Sequence, residues 1–152
     1  MRAQELAEDL PTLQPDDEVL RAVELIADYR VAAVGITGPN RELLAVLAPC
    51  DVLRLLVPGP VLESSALARV IEESYADHLA ETLGRQRLRD LLPDLPQRIP
   101  VVPDSATAVV LAVVMAQSGC PLAVVRDGPH LRGVVTTDKL LHALLAANRE
   151  PA

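Results

Sequence analysis

A chain of 152 residues, half of them apolar, has room for one compact domain or two small halves that share a core. With no Phe or Trp and only two Tyr, that core has to be aliphatic, which suits layered packing of helices on sheets. The formal net charge of −7 lacks the Lys/Arg footprint of nucleic-acid binding and opposes docking on anionic membranes, so neither partner is expected.

The chain opens Met1-Arg2-Ala3-Gln4-Glu5, with no apolar stretch resembling a signal peptide. The longest apolar run, Ala108 to Ala116, is far short of the ~20 residues that span a bilayer, and a cytoplasmic protein is expected. Cys50 and Cys120 show no metal-ligand spacing and are read as buried free thiols. His78, His130 and His142 are scattered, without ligand spacing, and no metal is expected.

In chain order, Thr12 to Gln14 is a short extended piece ending at Pro15-Asp16, and Asp16 is a suitable N-cap for the helix that follows. Val19, Leu20, Val23, Ile26 and Ala27 share one face of that helix, and Arg21, Glu24 and Asp28 the other. Val31 to Thr37 and Leu43 to Leu47 flank Gly38-Pro39-Asn40 as a hairpin. A helix from Pro49 to Val57 closes the unit, with Pro49 at a position that needs no N–H.

Next, Leu67, Val70, Ile71, Tyr75, His78 or Leu79, and Leu83 form an apolar stripe on a helix ended by Gly84, expected to pack against the rest of the chain. Glu72, Glu73, Asp77 and Glu81 face water on this reading. A short segment, Arg87 to Leu92, leads into Ile99 to Val102 and Pro103-Asp104, with Asp104 a second N-cap. Ala108 to Ala116 lacks alternation and reads alone as strand or helix. Leu122 to Val125 and Leu131 to Val135 flank Asp127-Gly128-Pro129, and Thr137 to Ala147 is the last helix.

A shift of 88 residues superposes these halves without a gap from Pro15 to Leu56, placing Pro15-Asp16 on Pro103-Asp104 and Val52-Leu53 on Leu140-Leu141. The repeat decides for helix at Ala108 to Ala116. Being apolar on every side, that helix needs burial on every side, by its own sheet and by the other repeat or a second subunit.

A duplicated βαββα unit of this kind resembles the CBS domain. The resemblance rests on Ile99-Pro100-Val101-Val102-Pro103-Asp104, on Gly133-Val134-Val135-Thr136-Thr137, on Leu13-Gln14-Pro15-Asp16-Asp17 with Asp51-Val52-Leu53, and on Leu88-Arg89-Asp90-Leu91-Leu92. It implies an α/β (α+β) fold of two repeats related by a pseudo-two-fold, with repeat 1 over 1–60, an added helix over 61–86 and repeat 2 over 87–152. It further implies a stand-alone regulatory module of bacterial type, a homodimer acting on an unidentified regulated protein, with AMP, ATP or S-adenosylmethionine as ligand. The Ala, Leu, Val, Arg and Pro bias suits a GC-rich, actinobacterial genome.

The family's nucleotide signature is Gly-h-h-Ser/Thr-x-x-Asp, the Asp holding ribose hydroxyls and the Ser/Thr lying near phosphate. In repeat 1 Asp51 stands at the ribose position, with Ala48 in place of the hydroxyl residue and Ala45 in place of the glycine. In repeat 2 Gly133 and Thr136 match, and Lys139 replaces the Asp. Thr12 and Pro100 complete the ligand-binding set that the resemblance implies. From the residues alone, Asp51 is also an acid favourable in a first helical turn, and Thr136 an ordinary N-cap. Lys139 opposes the helix dipole, a conflict that a bound anion or Asp138 relieves. Cys50 either lines the cleft or is inert. No nucleophile with a paired base and no phosphate loop is present, so the chain is read as a binding module, or alternatively as an interaction homodimer whose clefts bind nothing, and not as an enzyme.

Overall fold

The computed structural model describes residues 1–57, 63–70, 77, 80–81, 83–94 and 99–150. Its elements are α1 (Ala3–Leu6), β1 (Thr12–Leu13), α2 (Val19–Asp28), β2 (Val34–Thr37), β3 (Leu43–Leu47), α3 (Pro49–Leu56), α4 (Ser65–Val70), α5 (Leu88–Leu91), a 3₁₀ turn (Leu92–Asp94), β4 (Val101–Pro103), α6 (Ala108–Ser118), β5 (Leu122–Asp127), β6 (His130–Thr136) and α7 (Thr137–Arg149). Two three-stranded sheets result, ordered β1-β2-β3 and β4-β5-β6. In each, the first pair of strands is parallel and the second is an antiparallel hairpin. The chain therefore folds as two βαββα repeats.

Each sheet is covered on both faces, which explains why its strands lack polar alternation. Ala123, Val125 and Val135 face α6, α7 and α1 in one cluster, with Leu111, Met115 and Leu140. Ile36 and Leu47 face α2 in a second cluster, with Val19, Ala22, Val52, Leu88 and Leu91. The alternate residues Leu122, Val124 and Val134 join Ala33, Leu43, Val46 and Leu131 in a third cluster, which fastens sheet to sheet.

Strand pairing corrects the repeat's register by one residue. Thr12 lies opposite Gly35 and Val101 opposite Val124, so the repeats are 89 residues apart through β1, α2 and β2 and their counterparts. Only after the hairpin, where Val46 pairs with Gly35 and Val134 with Val124, does the separation become 88. The hairpin of repeat 2 is one residue shorter, and its turn is Gly128-Pro129, because Asp127 and His130 are paired.

Pro15-Asp16 and Pro103-Asp104 are thus not equivalent, and neither aspartate caps a helix. The helices start three residues or more later, at Val19 after Glu18 and at Ala108 after Thr107. The Thr107 hydroxyl accepts the Val110 N–H at 3.3 Å. Asp16 instead pairs with Arg89, and Asp104 meets Arg132 at 3.6 Å. β2 also begins at Val34 rather than Val31, because Arg30 adopts a left-handed φ of 53° and turns the chain first.

The helix at 108 is confirmed, and Gly119 ends it in the left-handed conformation that side chains resist. Burial on every side is not found within one chain. Ala108, Leu111 and Met115 are buried, whereas Val109 is 71%, Val110 43% and Val113 47% exposed. The partner repeat meets this one through the sheets and so does not cover the helix.

The apolar stripe between the repeats is partly overturned. Leu83 is buried in the repeat 1 core, but Leu67 and Val70 are exposed. Leu88 and Leu91 of α5 join that core instead. Ile71, Tyr75, His78 and Leu79, with Glu72 and Glu73, lie outside the described residues. Asp77 and Glu81 are exposed.

The short helices before each repeat are exchanged. Segment Arg2-Ala3-Gln4-Glu5-Leu6 docks on repeat 2, and the matching Arg87-Leu88-Arg89-Asp90-Leu91 docks on repeat 1. Ala3 and Gln4 N–H groups donate to the carbonyls of Ala106 and Asp104, and Leu88 and Arg89 N–H groups to those of Asp17 and Pro15. The Arg2 guanidinium donates to the Ser105 carbonyl, and that of Arg87 to the Asp16 carbonyl. Ala3 and Leu6 are buried in the repeat 2 core, as Leu88 and Leu91 are in that of repeat 1. This reciprocity expresses the pseudo-two-fold of the molecule.

Candidate ligand-binding site

The signature residues all follow the hairpin turns, in the stretch where the separation of 88 residues holds, so Ala48 matches Thr136 and Asp51 matches Lys139 in space as in sequence. Each N-cap residue leaves its strand with extended backbone and starts a helix, which turns the first N–H groups of α3 and α7 outward.

In repeat 1 the Ala48 N–H donates to Asp51 Oδ2 at 2.9 Å, and the Asp51 N–H donates to the Ala48 carbonyl at 3.0 Å. Ala48 has no side-chain oxygen with which to return a bond, so only the carboxylate half of a capping box is built. Asp51 is 7% exposed and is the one buried charged side chain among the described residues. No cation pairs with it among those residues. Its second oxygen holds no hydrogen bond, yet no buried polar side-chain atom among the described residues lacks a partner, so that oxygen reaches the surface. A carboxylate held by one backbone bond, with a lone acceptor left open, can take a hydroxyl donor.

In repeat 2 the Thr136 hydroxyl accepts the Lys139 N–H at 3.1 Å and caps α7. The Lys139 ammonium points back to Glu8, with Nζ 4.0 Å from Oε1 and both side chains about half exposed. Glu8, not Asp138, therefore answers the cation in the first turn. Asp138 Oδ1 lies 3.4 Å from His142 Nδ1, one turn along the helix. Glu8 also pairs through its backbone with Val134, donating at 2.8 Å and accepting at 2.9 Å. Gly133 is needed there, since a Cβ would stand 2.4 Å from the Glu8 carbonyl oxygen.

The other two residues sit at the sheet ends. Thr12 is exposed on β1 beside Gly35, where a Cβ would meet Leu131 of repeat 2 at 2.8 Å and the Thr12 methyl at 3.3 Å. Pro100 is half-buried before β4, its carbonyl accepting the Val124 N–H at 2.8 Å. Because of the one-residue register, its counterpart is Pro11, which accepts from Gly35 at 2.9 Å, and not Thr12. Thr12, Ala48 and Asp51 thus belong to repeat 1, and Pro100, Gly133, Thr136 and Lys139 to repeat 2. The two hairpins meet at their turn ends, where the Leu43 N–H donates to the Pro129 carbonyl and Glu42 bridges His130.

Cys50 is exposed and Cys120 half-buried, contrary to the buried thiols expected. Cys50 lies in the first turn of α3 on the side away from the core that Val52 enters, and Cys120 follows the open turn at Gly119. Among the described residues no group of His, Cys, Asp or Glu is arranged to hold a metal ion, and no helix is long and apolar enough to cross a membrane. Glu8 escaped the sequence reading, though a signal existed. Arg-x-x-acid-Leu occurs at both Arg2 and Arg87, 85 residues apart, outside the span first superposed.

Residues 89–146 match the family model of the CBS domain, a regulatory rather than a catalytic module. A CBS domain-containing protein of unknown function from Kribbella flavida is 34% identical, over 95% of this chain and 99% of its own, with a TM-score of 0.74. The CBS-pair protein CBSX2 from Arabidopsis thaliana is 19% identical over 99% and 98% of the two chains, with a TM-score of 0.75. CBSX2 in complex with AMP gives 20% identity over 97% and 98%, and a TM-score of 0.70. No curated protein matches the chain. Two βαββα repeats in this register, their incomplete nucleotide signatures and the relative from Kribbella flavida agree: the chain belongs to the CBS-domain family, as a CBS pair.

Proposed function

We propose that this CBS pair is a cytoplasmic regulatory module that binds an adenosine-containing ligand, with Asp51 holding the ribose, and that it acts as a homodimer on a partner protein rather than as an enzyme. The observation that carries the ligand is the buried, cation-free Asp51 carboxylate with one oxygen open. Burying such a group costs free energy unless donors satisfy it, and a ribose diol supplies two O–H donors. The AMP complex of CBSX2, a protein of the same fold, supports an adenosine compound as the class to try. AMP, ATP and S-adenosylmethionine share the ribose that Asp51 would read.

Ligand binding regulates only if it prefers one of two packings of the module. The sheet-to-sheet cluster of aliphatic side chains is the joint at which such packings would differ. Calorimetry with AMP, ATP and S-adenosylmethionine tests the reading. Asp51→Asn keeps an oxygen for the Ala48 N–H and removes the charge. It should weaken binding about tenfold or more, since bonds to charged groups contribute ~1.5–3 kcal/mol. Unchanged affinity in Asp51→Asn, or no binding to wild type at millimolar ligand, overturns the ribose assignment.

A second observation favours the interaction reading. Val109, Val110 and Val113 on α6 and Leu141, Leu144 and Leu145 on the adjoining α7 are all exposed in the single chain. A second copy of the same face is the occupant we assign, because a two-fold axis would let these six exposed aliphatic side chains bury one another. Should the clefts bind nothing, this surface remains the working part.

A further inference from the structure

The repeats carry matching helix pairs, α2 with α3 and α6 with α7, but their outer surfaces do not match. At the separation of 89 residues that holds for the first helices, Val109, Val110 and Val113 of α6 correspond to Leu20, Arg21 and Glu24 of α2. At the separation of 88 that holds after the hairpin turns, Leu141 of α7 corresponds to Leu53 of α3. All of these side chains are exposed or half exposed. Repeat 2 thus carries an unbroken aliphatic patch. In repeat 1 the same patch is cut by two charges, with Arg21 Nη1 and Glu24 Oε2 3.6 Å apart.

The six aliphatic side chains of α6 and α7 together expose roughly 500 Å², so a second copy laid on them would bury about 1,000 Å² in all, the size at which specific interfaces begin. The pseudo-two-fold makes two ways of seating that copy geometrically alike. It can present its own α6 and α7, or its α2 and α3. In the crossed arrangement Arg21 stands where a second Val110 stands in the like-on-like one, and Glu24 where a second Val113 stands.

We infer that a second copy of the chain seats its repeat 2 on repeat 2, and that Arg21 and Glu24 are the residues that reject the crossed arrangement. This rests on the homodimer reading above and fixes its orientation. Crossed, the aliphatic patch would strip water from a guanidinium and a carboxylate and offer neither a hydrogen bond in return. Like on like, the valines and leucines of one copy meet those of the other across the axis, and no charge leaves water at that contact. The orientation is chosen by a cost placed on the wrong partner face as much as by a gain on the right one.

A lysine at position 113 tells the two arrangements apart, because it would face a second lysine in one and Glu24 in the other. Sedimentation of the full chain at low ionic strength reads the result. Like on like, Val113→Lys and Val113→Glu should each weaken the dimer by at least about a hundredfold, since each buries two equal charges together. An equimolar mixture of the two variants should recover a dimer, one lysine copy with one glutamate copy, and rising salt should weaken it. Far-UV circular dichroism identical to wild type verifies that both variants fold. A Val113→Lys protein that stays dimeric, or a mixture that stays monomeric, overturns the inference and leaves the homodimer standing. A wild-type monomer overturns both, and assigns the patch to a different protein.

Discussion

The exchanged lead-in helices make a sharp prediction about Leu88. This side chain precedes β4 of repeat 2 in the chain, yet it is 1% exposed inside the core of repeat 1, among Val19, Ala22, Leu47 and Val52. Leu88→Ala removes three carbons. Their transfer alone corresponds to about 2.4 kcal/mol at ~0.8 kcal/mol per methylene, and a cavity that fails to collapse raises the loss toward ~5 kcal/mol. For a chain of this length each kcal/mol lowers the melting temperature by roughly 2–4 °C, so a drop of roughly 5–20 °C is expected. Leu67→Ala, on the exposed α4, is the control and should change stability by less than about 0.5 kcal/mol. Urea titration followed by far-UV circular dichroism reads both variants, as the chain has no Trp. The sheet-to-sheet cluster still joins the repeats in this variant, so one transition at lower urea is expected. A Leu88→Ala protein as stable as Leu67→Ala would refute the exchanged packing.

Other expectations follow from single contacts. Gly133→Ala sets a Cβ 2.4 Å from the Glu8 carbonyl, so it should destabilise by about 2 kcal/mol or more and raise amide exchange at Glu8 and Val134; wild-type protection there would contradict the pairing. Asp51→Ala deletes the bond to the Ala48 N–H and should cost about 0.5–2 kcal/mol in the absence of any ligand, whereas Asp51→Asn should melt within a degree or two of wild type. Val113→Glu places a charge on the exposed side of α6, so it should leave the fold intact and abolish the homodimer proposed above, as read by light scattering. A wild-type monomer at micromolar concentration would remove that surface from consideration.

What the sequence determined by itself was the repeating unit. Local signals sufficed: Val19, Val23 and Ile26 at helical spacing, Pro49 at a first helical position, and turn residues between Leu122–Val125 and Leu131–Val135. The nucleotide-signature positions were legible for the same reason, since Ala48, Asp51, Gly133, Thr136 and Lys139 all fall after the hairpin turns, where one fixed offset holds. Register before the hairpin was not, because Pro15-Asp16 and Pro103-Asp104 look alike while the strands pair one residue away. That choice is made by which residues face the sheet-to-sheet cluster, a long-range condition invisible to a local pattern. Helix α1 and the place of Glu8 were likewise decided only in three dimensions. Four residues of helix have too little intrinsic stability to announce themselves, and Ala3–Leu6 forms because the Ala106 and Asp104 carbonyls accept its first N–H groups and the repeat 2 core buries Ala3 and Leu6.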